Sequence, residues 1–139
     1  MDFTKLLEKD LPLNQLSALS LAYLGDAVYE LYVRTRAFDK TQNAHQLNQV
    51  GISAVNHLAQ AELLEKIEGE LNEEEFGVIR RGKNAKGIVP KNAKMINYRK
   101  ATALEALVGY LYLKGEEERL LWLLGEIAVF KEYRDESSR

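Results

Sequence analysis

Between its two prolines, Pro12 and Pro90, apolar residues recur at intervals of three and four, and strand-like alternation is scarce. The pattern predicts an all-α domain. A short amphipathic helix is expected near Phe3–Lys9, a long one from about Asn14 to Ala37, and a third from about Asn43 to Ile67. The third is marked by Leu47, Val50, Ala54, Leu58, Ala61 and Leu64. Asn72 with Glu75 three residues later forms a variant capping box, opening a helix to about Arg81. The glycines and proline of "GKNAKGIVPKNAK" predict a loop. Helices near Asn92–Lys114 and Glu116–Tyr133 follow, with a frayed tail "RDESSR". No composition shift or long linker interrupts residues 1–139, which are expected to form one domain.

Two segments break the amphipathic rule. "LSLAYLGDAVYELYV" (Leu19–Val33) is apolar nearly all the way round a helix, which predicts a central, buried one. Gly25-Asp26 sits in its middle. Glycine costs about 1 kcal/mol against alanine in a helix interior, and a buried carboxylate is costly unless paired or bound to a cation. "ATALEALVGYLYL" (Ala101–Leu113) repeats the design, with one acid, Glu105, and Gly109 four residues on, hence on the same face. The simplest packing crosses the two helices at their glycines and brings Asp26 and Glu105 together.

Charge adds a second feature. The chain carries 19 Lys+Arg and 21 Asp+Glu, yet no acid lies between Glu75 and Glu105. That window holds eight cations: Arg80, Arg81, Lys83, Lys86, Lys91, Lys94, Arg99 and Lys100. Removing those eight from 19 leaves 11 basic against 21 acidic residues elsewhere. Such a segregated segment calls for an anionic partner or a local explanation.

Neighbouring carboxylates repel unless a cation intervenes. Magnesium is commonly held by one or two carboxylates, waters and substrate phosphates; such an ion polarises a phosphodiester and lowers the pKa of a water. A cation at Asp26 and Glu105, with basic residues leading into the Glu105 helix, suits a phosphate-rich substrate. Each feature also has a plain reading. A helix-borne acid is often a surface residue, and a basic loop is often only solvated. Asn84 and Asn92 suit either polar contacts to such a substrate or turn caps.

Other chemistries find little support. The chain has no cysteine, which excludes disulfides and thiolate metal sites. No phosphate-binding glycine loop and no persuasive Ser/His/Asp set occurs. His45 and His57, twelve apart, would stand about 18 Å from each other on a single helix, too far to share a metal. Trp122 and Phe130 suit packing, and Glu116–Glu118 suits a helix N-terminus. No apolar run reaches the roughly 18 residues of a membrane span, and "MDFTKLLEKDLPLN" lacks the form of a leader. A cytoplasmic location without membrane association is expected.

The two unusual segments carry a family resemblance. "YLGDAVYEL" (Tyr23–Leu31) resembles the ribonuclease III signature, and "ALEALVGYLYLKG" (Ala103–Gly115) resembles that family's second acidic motif. Their order and separation resemble a single ribonuclease III catalytic domain, with no room for the double-stranded-RNA-binding domain that usually follows. "RRGKNAK" and "YRKATALEAL" resemble the short, Mini-ribonuclease III branch. The resemblance implies an all-helical homodimer in which each protomer cuts one strand of a duplex, using Mg2+ or, as a substitute, Mn2+. It implies maturation of the large-subunit (23S) ribosomal RNA precursor, with a ribosomal protein as a possible helper, and products ending in a 5′ phosphate.

Carried over residue by residue, Asp26 and Glu105 become the catalytic metal ligands. Arg80, Arg81, Lys83, Asn84, Lys86, Lys91, Lys94, Arg99 and Lys100 become RNA contacts, with Thr102 beside the metal site. Longer members have further acids where this chain has Leu19, Ala22 and Thr102, so two carboxylates per site remain. Tyr23, Val28 and Tyr32 serve either a dimer contact or the core. The competing expectation is a non-catalytic structured-RNA-binding or ribosome-assembly protein on the same fold.

Overall fold

The computed structural model describes residues 10–87, 91 and 94–131, and among these no strand occurs. The expected Phe3–Lys9 helix, Asn92 and the tail lie outside the described residues. A 3-10 turn, Leu13–Gln15, precedes α1 (Ala18–Ala37), α2 (Ala44–Ala54), α3 (His57–Ile67), α4 (Glu73–Lys83), α5 (Met95–Lys114) and α6 (Glu117–Gly125). No described helix is long and apolar enough to cross a membrane.

Short polar side chains set the boundaries. The Ser17 hydroxyl accepts from the Ser20 amide at 3.0 Å, and Asn43 from Gln46 at 3.1 Å. The Asn72–Glu75 box forms in full: each side chain accepts from the other's backbone amide, both at 2.9 Å. Gly115 ends α5 in the left-handed region at φ 79°, where a side chain would be strained.

The expected single helix from Asn43 to Ile67 is two. Asn56 closes one and opens the next. Its Nδ2 donates to the carbonyls of Ile52 and Ser53 at 3.0 and 3.2 Å, while its Oδ1 accepts from the Ala59 amide at 2.8 Å. His45 and His57 therefore lie on different helices, and the single-helix separation does not apply to them. The expected last helix, Glu116–Tyr133, is interrupted rather than continuous: α6 closes at Gly125, residues 128–131 are helical again, and Tyr133 lies outside the described residues.

α5 is the central element, buried almost continuously from Ala101 to Leu111, with α1, α3 and α4 against it. α1 departs from the expectation of a fully buried helix. Leu21, Gly25, Tyr29 and Val33 face the core, whereas Leu19, Tyr23, Ala27 and Leu31 form an exposed stripe, Tyr23 being 85% exposed. Apolarity on every side of a helix also fits one whose outer face awaits a partner.

Candidate functional site

The glycines decide how closely α1 and α5 approach. A Cβ on Gly25 would fall 1.7 Å from the Glu105 carbonyl oxygen and 2.8 Å from the Gly109 nitrogen. A Cβ on Gly109 would fall 2.1 Å from the Leu21 carbonyl oxygen. The two main chains thus touch at the positions flanking the acids. Gly82 performs the same service for α4, where a Cβ would meet the Ala103 Cα at 2.5 Å.

This crossing brings the Asp26 and Glu105 carboxyls close enough to act on one another. Asp26 is exposed and Glu105 half-buried, so the pair opens to solvent. Burial pushes Glu105 up to about 8, helped by the Asp26 carboxyl and, more weakly, by Glu30. The Gln60 amide opposes this rise. Beneath the pair, Tyr29 is fully buried and donates its hydroxyl to the Ala54 carbonyl at 2.8 Å. Burial first, and then the Glu105 charge, raise the Tyr29 phenol far above its usual range.

The donor set suits a hard cation. Two oxygen ligands converge, neither is tied in a salt bridge among the described residues, and their mutual repulsion is what a divalent ion relieves. Among the described residues no third Asp, Glu or His completes a metal-binding group with them. Waters or substrate oxygens would fill the remaining positions, as magnesium prefers. The Thr102 hydroxyl is buried and donates to the Tyr98 carbonyl at 3.0 Å. A groove of about 420 Å³ between α1 and α2 begins at Glu30 and is lined by Val33, Phe38 and Ile52. Neither Asp26 nor Glu105 lines it; the acidic pair occupies more open surface.

The basic tract divides into paired and exposed residues. Lys83 bonds to Glu68 at 2.7 Å, and Lys100 pairs with Glu65. The acids missing from this stretch of sequence are thus partly supplied in space by α3 and the turn after it. Arg81 donates to the Leu16 carbonyl at 3.3 Å. Arg80, Lys86, Lys91, Lys94 and Arg99 are exposed, and Asn84 is the residue that closes α4. Tyr98 braces the loop that follows α4: a Cβ on Gly87 would meet its hydroxyl at 2.9 Å. Of the proposed dimer residues, Tyr23 is free on the surface. Tyr32 sits edge-on to Phe130 at 6.3 Å, and Val28 leans on the core.

Sequence reasoning missed Gln60 and Glu30, which the fold brings to Glu105. The only signal was a lone glutamine amid Leu58, Ala59, Ala61, Leu63 and Leu64.

The Ribonuclease III domain family matches residues 19–116. The chain is 43% identical to Mini-ribonuclease 3 of Desulfitobacterium hafniense over 88% of this chain and 79% of that protein. It is 46% identical to Mini-ribonuclease 3 of a Thermoanaerobacter species over 93% of this chain and 91% of that protein. A crystal structure of a Fusobacterium nucleatum protein superposes with a TM-score of 0.78 at 33% identity, covering 87% of this chain and 98% of that one. With its two acidic motifs joined across the α1–α5 crossing, the chain belongs to the ribonuclease III family, in its Mini-ribonuclease 3 branch, and is an endoribonuclease.

Proposed function

We propose that this protein cleaves double-stranded RNA at a divalent-metal centre held by Asp26 and Glu105. Its substrate is the precursor of large-subunit ribosomal RNA, its metal magnesium with manganese as substitute, and its setting the cytoplasm. The observation that carries this reading is the pair of acids brought together by the α1–α5 crossing at an open surface. A bound cation would polarise the scissile phosphodiester and lower the pKa of a water beside it.

The chain's own residues do the rest. Asp26 and Glu105 supply the two oxygens that hold and orient the ion. Gly25 and Gly109, by letting the main chains touch, set the separation of those oxygens. Arg80, Arg81, Lys86, Lys91, Lys94 and Arg99 neutralise RNA phosphates. Lys83 and Lys100 do so only by giving up part of their bonds to Glu68 and Glu65. Duplex RNA is recognised mainly through shape, phosphates and 2′-hydroxyls, which suits such a surface. Asn84, which closes α4, adds a contact to an RNA sugar. The Thr102 hydroxyl, already donating to Tyr98, is left to support α5.

The α1 stripe of Leu19, Tyr23, Ala27 and Leu31 supports a homodimer. Pairing two copies there puts an acidic centre on each side of a two-fold axis, one for each antiparallel strand. Assistance by a ribosomal protein is compatible with this arrangement.

The test is incubation of purified protein with duplex RNA in magnesium, then with chelator. Cleavage should require the ion and leave 5′-phosphate ends. Asp26→Asn and Glu105→Gln should abolish it while keeping the fold and RNA binding. A gel shift without cleavage in any divalent ion, or full activity in either variant, refutes the proposal.

A further inference from the structure

The break at Asn56 turns α3 onto α5 and carries Gln60 to the acidic pair. Gln60 is only 3% exposed, and its Nε2 is a buried side-chain nitrogen without a hydrogen-bond partner among the described residues. Leaving such a group unpaired costs about 1–3 kcal/mol. Buried polar groups are satisfied almost everywhere in proteins, so an exception at a functional site asks which state of the site satisfies it.

The neighbour is Glu105. The Gln60 amide favours the ionised Glu105 carboxylate, yet among the described residues its Nε2 makes no full hydrogen bond. With a cation held between the two acids, Glu105 binds it through one oxygen and keeps acceptor capacity on the other. The –NH2 end of Gln60 is then the matching donor, since Oε1 facing a carboxylate oxygen would repel it. Ligating carboxylates are commonly held by such outer hydrogen bonds.

We propose that Gln60 is a positioning residue of the metal centre: its side-chain N–H grips one oxygen of Glu105 and leaves the other aimed at the cation. The proposal rests on the metal-centre reading above. It gives α3 a part in the site that the two acidic motifs alone do not contain.

The test is titration with MnCl2 alone, without RNA, reading free Mn2+ by its EPR signal in the wild type, Gln60→Met and Asp26→Asn. Gln60→Met should weaken Mn2+ binding about tenfold. Its metal-free melting temperature should hold or rise, because an unsatisfied donor has been removed. Asp26→Asn should bind no Mn2+ at this site. A purely structural Gln60 predicts the reverse: a lower melting temperature and unchanged affinity.

A second measurement uses the wild type and so does not depend on the variant folding. The Gln60 side-chain NH2 resonances should move downfield and exchange more slowly with solvent on adding MgCl2. Unmoved resonances, or an affinity changed less than about twofold in Gln60→Met, overturn the proposal. The underlying reading fails separately, and takes the proposal with it, if the wild type binds neither ion.

Discussion

Gly25 lies against the main chain of Glu105: a Cβ on it would stand 1.7 Å from the Glu105 carbonyl oxygen. The residue before one metal-ligand candidate is thus the contact that places the other. No flexible side-chain end is available to yield, because the obstructing atoms are backbone.

Gly25→Ala should therefore force α1 and α5 apart. The expected cost is about 3 kcal/mol, the upper range for overpacking a tight interior, with cleavage lost as the carboxylates separate. Gly77→Ala is the control, since a Cβ there meets nothing within 4 Å. It should stabilise by about 0.5–1 kcal/mol through helix propensity and a less flexible unfolded chain. Urea denaturation of both variants distinguishes a backbone contact from a generic glycine effect.

The Glu105 carboxyl predicts the pH response of the metal-free protein. Its ordinary value of 4.5 is raised to about 8 in the fold. Between these values the folded state keeps a proton that the unfolded state releases, so this contribution to stability falls as pH rises from 4.5 through about 8. Glu105→Gln should flatten that decline in denaturant midpoints measured across the window. Metal affinity should rise over the same interval, because binding must expel the proton; calorimetry in buffers of different ionisation enthalpy reads its release.

Glu75 runs the opposite way. It is 2% exposed; burial alone would raise its carboxyl, but the Arg119 guanidinium and the Asn72 amide prevail and hold it below the usual range. Its contribution is present above 4.5 and is lost as pH falls through the lowered folded value. Arg119 grips it with Nε at 2.8 Å and Nη2 at 2.9 Å, and stacks over Trp122 at 4.2 Å. Arg119→Met should cost about 3 kcal/mol by stranding a buried charge, and thermal melts should show it without any change in metal affinity.

RNA affinity should separate exposed cations from paired ones. In the Asp26→Asn background, Arg99→Ala should lower the slope of log affinity against log salt by about 0.7–0.9, the loss of one phosphate contact. Lys100→Ala should change it less, because Glu65 already neutralises Lys100. Filter binding to duplex RNA at several salt concentrations measures both.

Tyr23 tests the association face. Tyr23→Glu puts a charge in the middle of the exposed α1 stripe and should yield monomers by analytical ultracentrifugation. Helical content should be preserved, since the side chain is 85% exposed in the single chain.

Local chemistry was legible in the sequence because it acts over a few residues. The helical class, the Asn72–Glu75 box, the glycine beside each acid and the segregated charge are all short-range features. Pairing Asp26 with Glu105 was also legible, since each of two apolar helices carried one acid and one small residue. What tertiary structure decided was everything set by contacts between segments far apart in the chain. It split the Asn43–Ile67 helix at Asn56, whose side chain serves two helices at once. It made α5 rather than α1 the central helix, leaving an apolar stripe outside. It neutralised Lys83 and Lys100 with acids from other elements, and it delivered Gln60 to Glu105. Periodicity records which face of a helix is apolar, but only packing decides what that face meets.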